Sequence, residues 1–190
     1  MSASKVFFTD MRASAKENLP EKLERLLGCL DLKAVIPERS LVAIKLHFGE
    51  RGNTAFIRPL LVRRVVDHVR SLGGRPFLTD ANTLYSGSRG NSVSHLETAV
   101  ENGFAYSVVG APLIIADGMR GRSCTEVEIH QETVGTAYIA REIAASDVLI
   151  SLAHFKGHEL AGFGGTLKNL GMGCASRRGK MAQHADLSPK

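Results

Sequence analysis

Residues 147–184 read DVLISLAHFKGHELAGFGGTLKNLGMGCASRRGKMAQH, and the rest of the chain is best read outward from them. The apolar run from Asp147 to Ala153 has the length of a buried strand and delivers the chain straight to His154, Lys156 and His158. Gly162-Phe163-Gly164-Gly165 follows as an expected tight turn, and Lys168-Asn169 comes soon after it. Glycines permit unusual backbone angles and the close approach of a ligand. A turn of this kind that opens a helix offers backbone N–H groups to an anion, and Lys168 would add a full charge. The same glycines also suit a turn that needs them for geometry alone. Lys168 is followed by Asn169 rather than Ser or Thr, so the P-loop pattern fails.

Charge points to the same place. Between residues 151 and 190, Lys156, Lys168, Arg177, Arg178, Lys180 and Lys190 face only Glu159 and Asp186, so this segment holds nearly all of the net charge of +5. His154, His158 and the later His184, with His47 from an earlier strand, could bind a transition metal or move protons near neutral pH. No H-E-x-x-H signature accompanies them, and spacing alone fits hydrogen-bonded structural histidines better.

Upstream, strands and helices alternate. Lys5–Thr9 (KVFFT) reads as a first strand. Leu23, Leu26, Leu27 and Leu30 recur at helical spacing behind Asn18 and Pro20. Leu41–Phe48 is a strand with Lys45 and His47 on one face, and Lys45 there needs a partner, a ligand or a route to solvent. Arg58-Pro59 opens an amphipathic helix with Val62, Val65, Val66 and Val69 as its stripe, closed by Gly73-Gly74. Pro76–Thr79 is a strand ending in Asp80, which suits a metal ligand, a general base, a histidine partner or a turn cap. Ser92–Asn102 reads as a helix, Leu113–Ala116 and Val127–His130 as strands, and Ala137, Ala140, Ile143 and Ala144 as the apolar face of a helix leading into Asp147. This alternation predicts an α/β fold, with an open, mostly parallel, doubly wound (Rossmann-like) sheet and helices on both faces. Asp10, His47, Asp80, Asp117 and His154 each follow a strand, and in such sheets ligands bind beyond the carboxyl ends of the strands.

A length of 190 residues with 44% hydrophobic content supports a single domain over residues 1–190, with the tail 181–190 expected to be mobile. The longest nearly apolar run, Val108–Ala116, is too short to span a bilayer. Without Trp and with three Tyr there is little for a base-stacking platform, which argues against nucleic acid as a partner. Cys29, Cys124 and Cys174 are odd in number and widely spaced, so they read as reduced thiols of a cytoplasmic protein rather than a disulfide or cluster framework. Cys174 would be reactive if Arg177 or Arg178 stabilised its thiolate.

The order Asp147-Val-Leu-Ile-Ser-Leu, Lys156-Gly-His158 and Gly165-Thr-Leu-Lys168-Asn169-Leu-Gly171 resembles the "domain of unknown function 362" family. Lys45 with Gly49, and Asp80, fit that family's layout. The resemblance implies a ferredoxin-type module, fused or as a partner. It also implies a 4Fe-4S cluster, if a longer chain than one ending at Lys190 supplies the cysteines. More distantly, His158-Glu-Leu-Ala-Gly-Phe-Gly-Gly-Thr-Leu-Lys168 resembles the catalytic motif of nickel-dependent lactate racemases, with Gly164 where that motif has serine. This second resemblance implies His158 as a proton-transfer base, Lys168 as the holder of a nickel cofactor and His184 as a metal ligand.

The expectation is therefore a site with His158, Lys168 and His154 in catalysis. Gly162, Gly164, Gly165, Lys168, Asn169 and Lys45 would hold a cofactor. His184, His158, His47 and Asp80 would hold a metal such as nickel or iron, and the substrate would be a small anion. The alternatives are a scaffold within an iron–sulfur redox protein, and binding of an anion or nucleic acid through the basic C-terminal segment.

Overall fold

The computed structural model describes residues 4–131, 134–159 and 161–185. Helix α1 (Leu19–Gly28) starts where Asn18 accepts from the Glu21 N–H while the Glu21 carboxylate accepts from the Asn18 N–H, a reciprocal cap with Pro20 in the first turn. Strand β1 (Leu41–Lys45) is buried from Val42 onward. Helix α2 (Pro59–Ser71) turns Val62, Val65, Val66 and Val69 inward, and Gly73 stops it with a φ of +91°. Strand β2 (Arg75–Asp80) returns alongside β1. Helix α3 (Ser92–Glu101) is capped by Asn91, and a short helix α4 (Tyr106–Val109) leads to β3 (Leu113–Ile115).

The third quarter departs from the expected pattern. Thr136–Ala140 is not the start of a helix but a strand, β5, paired antiparallel with β4 (Cys124–Glu128). Only Arg141–Ala144 is helical, as α5. The 3–4 spacing of Ala137, Ala140, Ile143 and Ala144 suits a helix, but Thr136, Tyr138 and Ile139 favour extended backbone, and β4 supplies a ladder for it. After β6 (Val148–Ser151), the glycine-rich stretch also differs from a simple turn. Strand β7 (Lys156–His158) pairs with β8 (Gly162–Gly164) as a small ribbon, followed by α6 (Thr166–Gly171) and α7 (Arg177–Ala185).

The central sheet is four parallel strands in the order β3-β2-β1-β6, with helices packed around it. The fold is thus an open α/β sheet. The chain steps outward from β1 through β2 to β3 and then crosses back to add β6 on the other side of β1, so the order reverses between β1 and β6. The main core joins Ile44, Leu46 and Phe48 to the α2 valines, Leu78 and Phe104. A smaller cluster of Ala81, Ala116, Ala140, Ile143 and Cys174 lies beyond the strand ends.

One further expectation changes. Lys5–Thr9 joins no sheet: Val6 and Phe8 are 88% and 86% exposed, with no neighbouring strand to complete a ladder. The segment expected to be a mobile tail is helical through Ala185, and residues 186–190 lie outside those described. Among the described residues no helix is long and apolar enough to cross a membrane.

Leu78 is fully buried in the middle of β2. Leu78→Ala should lower unfolding free energy by about 2–5 kcal/mol in urea titration, the range for truncating a buried leucine.

Candidate functional site

β1 and β2 end side by side on two charged residues. Lys45 is the last residue of β1, in register with Thr79 of β2 and Ser151 of β6, and Asp80 is the last residue of β2. Lys45 is only 1% exposed and does not reach solvent. Its Nζ lies 2.9 Å from Asp80 Oδ1 and donates to Asn169 Oδ1 at 2.8 Å and to the Leu46 carbonyl at 3.1 Å. Three partners for three N–H bonds is what a buried ammonium requires. Asn169, on α6, turns its amide nitrogen the other way, donating to Ser151 Oγ at 2.8 Å and the Lys45 carbonyl at 3.2 Å. Its side chain therefore ties α6 to both β1 and β6. Gly173 leaves room for this arrangement, because a Cβ there would stand 2.2 Å from the Asn169 carbonyl oxygen and 2.8 Å from Lys45 Nζ.

A second layer closes over Asp80. Arg89 donates to Asp80 Oδ2 at 3.2 Å and from Nε to Glu50 Oε1 at 2.8 Å, with a further contact from Nη2 to the same oxygen. His95 of α3 is fully buried, with Nε2 3.5 Å from Asp80 Oδ2. Burial by itself would raise the Asp80 carboxyl, but Lys45, His95 and Arg89 together hold it well below the usual carboxylate range. His47 accepts the Gly49 N–H on Nδ1 at 2.9 Å, and burial, then Arg89, lowers its pKa to about 3. The ring is therefore neutral, and its proton sits on Nε2. Asp117 binds the next strand end: its Oδ1 accepts both the Asn82 backbone N–H and side-chain Nδ2.

Lys45, His47, Asp80, Arg89 and Asn169 line a cavity of about 340 Å³ at the carboxyl ends of β1, β2 and β6. Of the residues expected from sequence, Lys45, His47, Asp80, His154, His158, Gly164, Gly165, Lys168, Asn169 and His184 all line it. Gly162 does not; it is exposed, opposite His158 at the far end of the β7–β8 ribbon. Asp10 does not join the cluster either, and pairs instead with Lys22. The expected anion turn takes another form, since Gly162–Gly164 is strand paired with Lys156–His158 rather than a loop of free amides.

The donor set does not suit a metal. Among the described residues, no three of His, Cys, Asp and Glu come together in a way that could hold one. Asp80 is committed to Lys45 and Arg89. Nδ1 of His47 and of His158 each accept a backbone N–H, that of His158 from Ala161 at 3.1 Å, and the neutral His47 ring then carries its proton on Nε2, where a metal would need a lone pair. His184 Nε2 lies 3.3 Å from the Tyr85 hydroxyl. Cys174 is buried, and burial raises its thiol, so it is not the activated thiolate that Arg177 or Arg178 could have made. Cys29, Cys124 and Cys174 are all free.

Sequence reading missed Arg89, Glu50, His95 and Lys180. Arg89 lies in a Gly/Ser loop, where nothing marks it as buried. His95 and Lys180 sit on helices whose buried faces become legible only after packing. Lys180 lines the cavity and donates to the Ala175 carbonyl at 2.5 Å. Burial lowers its pKa to about 8, an effect only partly opposed by Asp80 and Asp117. Lys168 is also lowered, by burial and by Lys156.

Asp80→Asn would leave Lys45 and Arg89 without their shared carboxylate. It should cost about 3–5 kcal/mol of stability by urea unfolding, the penalty for breaking one side of a buried pair. His47 gives a separate signature. Its pKa is lower folded than unfolded, so the unfolded chain takes up the proton first and stability falls as pH drops from about 6.5 toward 3. His47→Asn keeps an acceptor for Gly49 and should flatten that part of the stability–pH curve between pH 6.5 and 4.5, measured by urea midpoints.

The family model described as a domain of unknown function, DUF362, matches residues 42–189. No curated protein and no solved structure matches the chain. The matched span runs from the second residue of β1 to beyond α7 and so includes every residue of the Lys45–Asp80–Asn169 network. The chain belongs to the DUF362 family.

Proposed function

We propose that the cavity binds a small anionic molecule, a carboxylate or a phosphate, and exchanges a proton with it. One observation carries this. Lys45 and Arg89 are neutralised by Asp80 and Glu50, but Lys156, Lys168 and Lys180 line the same cavity with no carboxylate within ion-pair distance among the described residues. Holding three ammonium groups together at a partly dry surface is unfavourable until an anion joins them. Burial lowers the pKa of both Lys168 and Lys180, and Lys156 lowers that of Lys168 further, so an anion would offset a cost already present.

The same groups suit acid–base chemistry. An amine with a pKa of about 8 gives or takes a proton readily near neutral pH. His158 and His154 stand at the cavity edge as additional acid or base groups, and the neutral His47 offers an Nε2–H as a hydrogen-bond donor. Lys45 and Asp80 are positioning residues in this scheme: they hold Asn169 and the strand ends, and with them the cavity floor.

The test is calorimetric titration with orthophosphate, oxalate and lactate. At least one should bind, and the double variant Lys168→Met, Lys180→Met should weaken it by ~10-fold or more, equal to about 1.4 kcal/mol. Affinity should also fall as pH rises through about 8, where Lys180 loses its charge. Equal binding by wild type and the double variant, or no binding of any of the three, would overturn the proposal.

A further inference from the structure

Helix α7 separates two concave surfaces. Lys180 and His184 face the cavity, whereas Arg177, Arg178 and Met181 face a second groove of about 890 Å³. That groove also takes in Arg120 and Arg122, from the turn after β3, with Val93 and Met119, and no acidic side chain lines it. We infer that this groove is a binding site for an organic diphosphate joined to an aromatic body, the nucleoside diphosphate class.

Two of its four arginines are held in place beforehand. Arg177 donates from Nη1 to the Gly90 carbonyl at 3.1 Å and from its backbone N–H to the Gly121 carbonyl at 3.1 Å. Its side chain crosses the 118–121 turn where only glycine leaves room, since a Cβ on Gly121 would lie 2.4 Å from Arg177 Cγ and Cδ. Arg178 stacks on Tyr138 with its guanidinium carbon 3.9 Å from the ring centroid, and pairs with Glu126 at 2.6 Å. Such fixed guanidinium forks match phosphate oxygens bidentately and lose little side-chain entropy on binding.

Arg120 and Arg122 are exposed, and neither has an ion pair among the described residues. With Arg178 balanced by Glu126, the guanidinium groups of Arg120, Arg122 and Arg177 have no ion pair among the described residues. A single phosphate monoester carries about −1.5 to −2, so a diphosphate ester matches this excess better.

The rest of the ligand follows from the apolar side chains of the same groove. Val93, Met119 and Met181 are 55%, 63% and 62% exposed in the same groove. Methionine sulfur is polarisable and favours aromatic rings. A groove of this volume is within the range of small-molecule sites. Phosphates on the arginines and a flat ring on the two methionines use both kinds of lining at once. A bare inorganic anion would use only one.

Titration with ADP, inorganic pyrophosphate and AMP tests this, read by methyl NMR of 13C-methionine-labelled protein and by calorimetry. ADP should shift the Met119 and Met181 methyls and bind more tightly than either pyrophosphate or AMP. Arg120→Ala with Arg122→Ala, two exposed positions whose replacement leaves the packing intact, should weaken ADP by ~10-fold or more. The cavity variant Lys168→Met, Lys180→Met should bind ADP like the wild type, which separates this site from the anion cavity. Three results would each overturn the inference: no methyl shift with ADP, pyrophosphate binding as tightly as ADP, or loss of ADP binding in the cavity variant but not in the arginine variant.

Discussion

The contact between Lys45 and Asp80 sets the terms for the rest of this structure. Each charge ends a strand of a parallel sheet, and each is almost fully removed from water. Neither could be buried alone, and a buried ion pair is favourable only when its remaining donors and acceptors are also satisfied. Asn169 and the Leu46 carbonyl complete Lys45, while Arg89 and the Ala81 N–H complete Asp80, with His95 Nε2 3.5 Å away. The pair thus draws α6, the Arg89 loop and α3 onto one sheet edge. A hydrophobic pair of similar size would join β1 and β2 equally well, but it would not specify where those three segments sit.

The cavity follows from this placement. The strand order reverses between β1 and β6, so the chain leaving β6 diverges from β1 and β2 and opens a space beyond their carboxyl ends. The β7–β8 ribbon, α6 and α7 line that space with lysines and histidines. Its polarity has two layers: charges already matched at the floor, which hold the shape, and lysines above them with no ion pair among the described residues. The arginine groove on the other face of α7 repeats the pattern, with Arg177 and Arg178 fixed by their neighbours and Arg120 and Arg122 left without counter-charge.

Much of this was legible in the sequence where local chemistry acts alone. The valine stripe of α2, the Asn18 cap and the apolar runs of β1, β2 and β6 are read from periodicity and capping residues. His158, Lys168 and Asn169 are marked by the motifs that carry the family resemblance, not by spacing. What escaped depends on long-range packing. A lysine at a strand end looks the same in sequence whether it snorkels or is buried, and only the approach of Asn169, 124 residues away, decides for burial. Arg89 and His95 owe their roles to Asp80, which neither neighbours closely in sequence. Lys5–Thr9 has the composition of a strand but no partner, and Thr136–Ala140 has helical spacing but a partner that makes it a strand.

The most direct test of the anion cavity is proton exchange on binding. Lys180 is partly deprotonated at pH 8.5, and an anion beside it would favour its charged form. Calorimetry of oxalate or phosphate binding at pH 8.5, in two buffers of different ionisation enthalpy, should show net proton uptake that shrinks in Lys180→Met. Binding with no proton uptake, or with uptake unchanged in that variant, would contradict the assignment of the cavity lysines as the anion's partners.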